Sequence, residues 1–234
     1  MSAPRPATSP VEPLDLQAAL AERYGALAAG GGSLSCGSAL VRGAPGPGEV
    51  VVDLGCGRGQ DVFEAARRVG EKGSAIGVDL SAEMIAAALA AAPPSLGNVR
   101  FLRSDLAALE LADASVDLVV SNCTINHAPD KAAVYREIHR VLRPGGRFVV
   151  SDIVAEEALP ESVRRDPAAW AACYGGAIPE EEVLAAIREA GFGGIEATDR
   201  SAPYRKHGVT LRSITFRGFR PGRPSGEPLS GERE

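Results

Sequence analysis

From about Glu49 onward the chain alternates short apolar runs with longer stretches whose apolar residues recur every three or four positions, the periods of strand and helix. The runs at 50–54, 75–79, 99–102, 115–120 and 147–150 are rich in Val, Ile and Leu, so they predict strands of a buried parallel sheet. Residues 59–69, an Ala-rich stretch from Ser81 to Pro93-Pro94, and 131–142 predict the intervening helices. Ser81 reads as an N-cap with Glu83 in the first turn, and Pro144-Gly145-Gly146 as a stop. These are five β/α repeats of a doubly wound sheet. Helices are expected at 158–174 and 179–190, then two strands at 194–198 and 209–219 that form a long antiparallel hairpin. Arg205-Lys206-His207 reads as its solvated turn. Upstream, 14–29 has helical spacing and ends in Gly30-Gly31-Gly32. The division expected is a helix and cysteine-containing loop over 1–48, one domain over 49–220, and a polar tail over 221–234 that is expected to be disordered.

The run Val50-Val51-Val52-Asp53-Leu54-Gly55-Cys56-Gly57-Arg58-Gly59 joins a buried strand to an acid and a glycine turn, where the backbone can approach a ligand that a Cβ would repel. The dinucleotide pattern G-x-G-x-x-G would need glycine at position 60, which is Gln60. The second strand ends in Asp79, 22 residues past Gly57, where an acid can accept hydrogen bonds from both hydroxyls of a ribose. Either feature alone is more often a plain turn or a solvated acid. In one β-turn-α-β frame they point to a nucleotide-like cofactor.

Composition narrows the partners. The 234 residues, 45% of them hydrophobic, suffice for one α/β core, and a net charge of −5 leaves no basic footprint for nucleic acid or an anionic membrane. A small-molecule substrate is expected. No run reaches the roughly 20 apolar residues of a membrane span and the N-terminus has no signal-like apolar core, so a cytoplasmic location is expected.

Cys36, Cys56, Cys123 and Cys173 are widely spaced and form no C-x-x-C, which argues against zinc or a disulfide scaffold. Ligands of open α/β sheets bind beyond the carboxyl ends of the strands. Cys123 follows strand four by a few residues and Cys173 lies after strand five, so both converge on the edge that carries Gly55 and Asp79. Cys56 occupies a turn position that needs small size rather than sulfur.

The segments Ser121-Asn122-Cys123 to His127-Ala128-Pro129-Asp130-Lys131, Tyr135-Arg136-Glu137, Pro144-Gly145-Gly146 to Ser151-Asp152, and Cys173-Tyr174-Gly175-Gly176-Ala177 resemble the arsenite (arsenic(III)) S-adenosylmethionine methyltransferases. These share the pattern SNCVINLxPDK with a later C-x-G-G-A, and the similarity runs over about 24–219. The resemblance implies the Rossmann-like fold of class I methyltransferases, seven strands with an antiparallel C-terminal hairpin. It implies Cys123 and Cys173 as arsenic-binding thiolates, with Cys36 of Ser35-Cys36-Gly37 as a third. The cofactor set it carries over is Asp53, Gly55, Cys56, Gly57, Gly59, Asp79, Leu80, Asp105, Asn122 and Tyr24. His127 stands where the family commonly has Leu, and Leu80 where Met is common. A lone loop histidine is more often a packing or hydrogen-bonding group than a base, and Asp61 reads as a helix cap.

The implied reaction moves the methyl group of S-adenosylmethionine to thiol-bound arsenic, supported by a thiol reductant such as glutathione or thioredoxin, in a protein expected to be monomeric. Arsenic(III) is thiophilic, and soft thiolates select soft acceptors. Two alternatives stay open: a methyltransferase for another small molecule, and a non-catalytic metalloid-binding protein, against which the intact Asp53, Gly55, Gly57 and Asp79 set argues.

Overall fold

A computed structural model describes residues 16, 18–20, 22–23 and 38–222. Residues 16, 18–20, 22 and 23 are helical, with Leu16 buried against Trp170. The remainder of the expected N-terminal helix and all but the first two residues of the expected tail lie outside the described residues.

The core is one sheet in the order β3-β2-β1-β4-β5-β8-β6, with a short β7 on β8. The strands are β1 (Val50–Leu54), β2 (Ser74–Asp79), β3 (Val99–Arg103), β4 (Val116–Asn122), β5 (Leu142–Ala155), β6 (Gly193–Thr198), β7 (Tyr204–Lys206) and β8 (Val209–Phe219). The first five pair in parallel and β8 runs antiparallel to β5, β6 and β7. Helix α1 (Ala39–Gly43) precedes β1; α2 (Gln60–Val69), α3 (Ala82–Ala91) and α4 (Lys131–Val141) follow β1, β2 and β4. Helices α5 (Glu161–Arg164), α6 (Pro167–Ala171) and α7 (Glu180–Glu189) follow β5. None of the described helices is long and apolar enough to cross a membrane.

The β-branched runs became the parallel strands because both of their faces are covered: Val51, Val52, Leu54, Leu118, Val119 and Val120 are almost wholly buried. Four expectations need correction. The β3-to-β4 crossover carries no helix, since Ser104–Ser115 folds as turns. The helix expected over 158–174 breaks into α5 and α6, because Pro167 cannot continue a helix while Asp166 caps the next by accepting the Ala168 N–H at 2.9 Å. The sheet has eight strands rather than seven. Tyr204–Lys206 is a strand paired with β8 rather than part of a solvated turn, and β8 inserts between β5 and β6.

Phe148 of β5 is fully buried, with its ring centroid 5.9 Å from Tyr135 of α4 and 4.6 Å from Phe192. A Cβ on Gly218 of β8 would stand 2.8 Å from the Phe148 ring, so the sheet has closed around this side chain. Phe148→Ala is expected to lower unfolding stability by about 3–5 kcal/mol, with the denaturation midpoint as readout. A loss below about 1 kcal/mol would mean that the cavity collapses freely and the packing around β5 is not rigid.

Candidate functional site

The site lies at the carboxyl edge of β1, β4 and β5. Gly55, Gly57 and Gly59 all have positive φ (72°, 50° and 82°), which explains glycine at alternate positions of the turn. The Gly55 and Cys56 N–H groups donate to the Val78 carbonyl at 2.8 and 3.0 Å, pinning the turn to β2. A Cβ at Gly55 would lie 2.1 Å from Thr124 Oγ1, so the glycine also lets the loop after β4 press against the turn.

A cavity at this turn is lined by Asp53, Gly55, Cys56, Gly57, Arg58, Gln60, Asp61 and Asn122. Asp53 is buried, and burial, reinforced by the Asp61 and Asp79 charges, pushes its carboxyl well above the usual range. Asn122 donates from Nδ2 to Asp61 at 3.0 Å and accepts the Ala39 N–H at 3.2 Å, tying α1, α2 and β4 together. The Asp61 side chain thus forms part of the cavity wall. Its signal was an acid in the first turn of the helix that follows the glycines.

Asp79 accepts the Gly57 N–H and the Ser81 N–H, both at 2.9 Å. Each carboxylate oxygen keeps a second acceptor site for a ligand. Burial pushes the Asp79 carboxyl up, opposed by these backbone donors. Leu80 is exposed on the same edge. Asp105 is exposed and turns back to accept the Ala107 N–H at 2.9 Å. The Cys56 thiol is buried, and burial pushes its pKa up, keeping it protonated. Tyr24 and Cys36 lie outside the described residues.

Cys123 and Cys173 share an uncommon property: both have left-handed backbone, with φ of 53° and 66°. Such conformations cost a non-glycine residue about 1–2 kcal/mol and persist only where the surroundings enforce them. The Cys123 N–H donates to the Ser151 carbonyl at 2.8 Å, which extends the β4–β5 pairing, and the Cys173 N–H to the Trp170 carbonyl at 2.9 Å.

Asn126 joins the two segments. Its Nδ2 donates to Asp152 Oδ1 at 2.8 Å, the Ile153 carbonyl at 2.7 Å and the Cys173 carbonyl at 3.2 Å, and its N–H donates to Asp152 Oδ2 at 3.1 Å. Burial pushes the Asp152 carboxyl up, while the Ile153 and Asn126 N–H groups and the charge of buried Lys131 pull it down. Cys173 Sγ stands 3.3 Å from His127 Nε2. Burial, with the positive charges of Lys131 and Arg23, pushes His127 down to about 4 against a hydrogen bond to the Ala171 carbonyl, so the ring is neutral at pH 7. Asn126 and the His127–Cys173 contact were not foreseen as site features, because residues 46 and 47 apart share no periodic signal.

The turn region suits a ligand with a ribose and positive charge: an acid-lined cavity, an Asp at the end of β2, and backbone free of Cβ atoms. The thiol region offers soft sulfur donors, which suit a soft thiophilic acceptor.

A methyltransferase-domain family model matches residues 45–191. An arsenite methyltransferase of Halobacterium salinarum is 40% identical over 200 residues, covering 81% of this chain and 51% of that protein. One from Aquipseudomonas alcaligenes is 38% identical over 200 residues, covering 79% and 58%. The chain thus spans little more than half the length of these relatives. Among solved structures, an arsenic(III) S-adenosylmethionine methyltransferase from Chlamydomonas reinhardtii is similar with a TM-score of 0.73 and 33% identity, over 93% of this chain and 76% of that one.

Because the fold keeps His127 neutral down to about pH 4 while the unfolded chain protonates it near 6.5, the unfolded state binds more protons between these values. Stability falls as pH drops through that window. Asp152 acts in the opposite sense, since its raised carboxyl binds more protons in the folded state. His127→Leu separates the two. In urea unfolding, the stability of the natural protein minus that of the variant is expected to shrink by up to about 3 kcal/mol between pH 7 and pH 4. A difference independent of pH would show that the ring is not held neutral.

Proposed function

We propose, because the chain belongs to the arsenic(III) S-adenosylmethionine methyltransferase family, that it methylates thiol-bound trivalent arsenic, with S-adenosylmethionine as donor and S-adenosylhomocysteine as by-product. The observation that carries the reading is the pair Cys123 and Cys173, both in left-handed backbone and both tied to the edge of the glycine turn through Asn126 and β5.

The thiols attack arsenite by ligand exchange. Each S–H and As–OH pair becomes an S–As bond and a water, so two cysteines leave a pyramidal arsenic with one remaining hydroxide and a lone pair. Cys36 is proposed as a third thiolate. When bound, S-adenosylmethionine supplies an electrophilic methyl group on a sulfonium. Asp79 would hold its ribose, with Asp53, Asp61 and Asn122 lining the cavity at the turn and Gly55, Cys56, Gly57 and Gly59 giving backbone access. Leu80, Asp105 and Tyr24 complete the proposed cofactor set.

The chain's residues act by orientation, for which alignment of reactants contributes up to about 7–11 kcal/mol to rate acceleration. An arsenic lone pair needs no general base, in keeping with the neutral His127. Thiols that must stay reduced favour the cytoplasm and a reductant such as glutathione or thioredoxin, and one chain supplies all proposed groups, so a monomer suffices.

Purified protein incubated with S-adenosylmethionine, glutathione and arsenite is expected to yield methylated arsenic species separable by chromatography. Cys123→Ser or Cys173→Ser is expected to abolish that product while cofactor binding persists, since a serine oxygen is too hard a ligand to replace sulfur. Substantial turnover by either variant would remove that residue from the arsenic site.

Asp79→Ala is expected to weaken cofactor binding by about 1.5–3 kcal/mol, the range for hydrogen bonds to a charged group. Calorimetry with unchanged affinity would place the ribose elsewhere.

A further inference from the structure

The β7–β8 hairpin contacts the segment that carries Cys173, which Asn126 also holds. Its two-residue turn, His207-Gly208, has positive φ at both positions (48° and 85°), the tight geometry that matches strand twist and leaves little freedom at the tip. The hairpin is anchored next to its turn, where Val209 and Leu211 are buried with Ala155, Ala169 and Tyr174.

From this frame Lys206 Nζ donates to the Ala172 carbonyl at 3.2 Å and lies 4.6 Å from the Tyr174 ring centroid. His207 stacks on the same ring, with centroids 5.6 Å apart and planes inclined by 12°. The residues before and after Cys173 are thus both gripped by the hairpin, while the Cys173 carbonyl is held by Asn126. A left-handed cysteine relaxes unless its neighbours fix it, and Ala172 and Tyr174 are those neighbours.

We propose that Lys206 is a positioning residue for the acceptor site: it holds the Cys173 backbone in its left-handed conformation so that Sγ faces the cofactor edge. This rests on Cys173 being an arsenic ligand. Lys206 touches neither substrate nor cofactor. Its effect appears in acceptor binding, and cofactor affinity is independent of it.

Trp170, the single tryptophan, stands three residues before Cys173 and is buried, so its fluorescence reports arsenic binding without turnover. Arsenite is titrated into the natural protein, Lys206→Met, Lys206→Arg and Cys173→Ser, and cofactor affinity is measured by calorimetry. In Lys206→Met the arsenite dissociation constant and KM are expected to rise roughly five- to tenfold, the scale of losing a cation–π contact with its hydrogen bond. Cofactor affinity and the thermal midpoint stay near their natural values. Lys206→Arg, which keeps charge and donors, restores most of the loss, a rescue that general loosening of the fold would not show. Arsenite binding by Lys206→Met equal to that of the natural protein overturns the positioning role alone. If the natural protein and Cys173→Ser respond to arsenite identically, the arsenic role of Cys173 fails and the proposal with it. Should Lys206→Met unfold, Tyr174→Phe and Tyr174→Leu replace it: the first keeps the ring and is expected to bind normally, the second to weaken binding. Equal binding by both overturns the proposal.

Discussion

The candidate site depends on one buried carboxamide. Asn126 Nδ2, with two hydrogens, serves three acceptors from the end of β5 and from the loop after α6, while its own backbone belongs to the loop after β4. Its hydrogen bonds tie these three segments together. In a low-dielectric interior such a network is strong when complete, and leaving one buried partner unsatisfied costs about 1–3 kcal/mol. The adjoining glycines serve the same contact: a Cβ on Gly176 would meet the Asn126 carbonyl at 2.0 Å, and one on Gly175 would meet the Trp170 nitrogen at 2.5 Å. The G-G that follows Cys173 is therefore a packing requirement of the loop that Asn126 holds.

This network explains why cysteine can occupy two positions that glycine or asparagine would fill more cheaply. Left-handed backbone at Cys123 is fixed by the continued pairing with Ser151, and at Cys173 by Asn126 on its own carbonyl and the hairpin on its neighbours. Strain of this kind points toward function when the residue bearing it has chemistry that the cheaper residues lack. A thiol at both positions meets that condition; Ala44 and Ala114, also at positive φ, do not.

The parallel sheet and the glycine turn were legible in the sequence because their causes are local: β-branched runs covered on both faces, and glycines whose positive φ is demanded within a few residues. The arrangement of the thiols was legible only through topology, which brings the ends of β4 and β5 to one edge. What escaped was long-range. The β3–β4 crossover has apolar residues at Leu106, Leu109 and Leu111, yet they are pinned by Glu137 and Arg140 of α4, which bind the Leu109 N–H and the Leu109 and Leu111 carbonyls and so replace a helix's own hydrogen bonds. Arg205-Lys206-His207 reads as solvated on composition, but Tyr174, some thirty residues earlier, supplies the face that Lys206 and His207 cover.

The two halves of the edge divide recognition by kind of force. Around the glycine turn, Asp53, Asp61 and Asp79 crowd acidic groups into partly buried space, and burial, reinforced by the other two charges, raises the Asp53 carboxyl well above the usual range. A sulfonium or ammonium there is attracted by charge, and the same acids repel an anion. Around Cys173 the nearest titratable group is a neutral imidazole, and the charge of Lys131 is turned toward the Ala128 carbonyl and the Trp170 ring. The neutral arsenic(III) hydroxide of the proposed function would gain nothing from the acidic half, whereas thiols would bind it through covalent exchange that is indifferent to net charge. On that proposal neither ligand would compete for the other's half, and the close approach of Thr124 to Gly55 sets the two halves side by side.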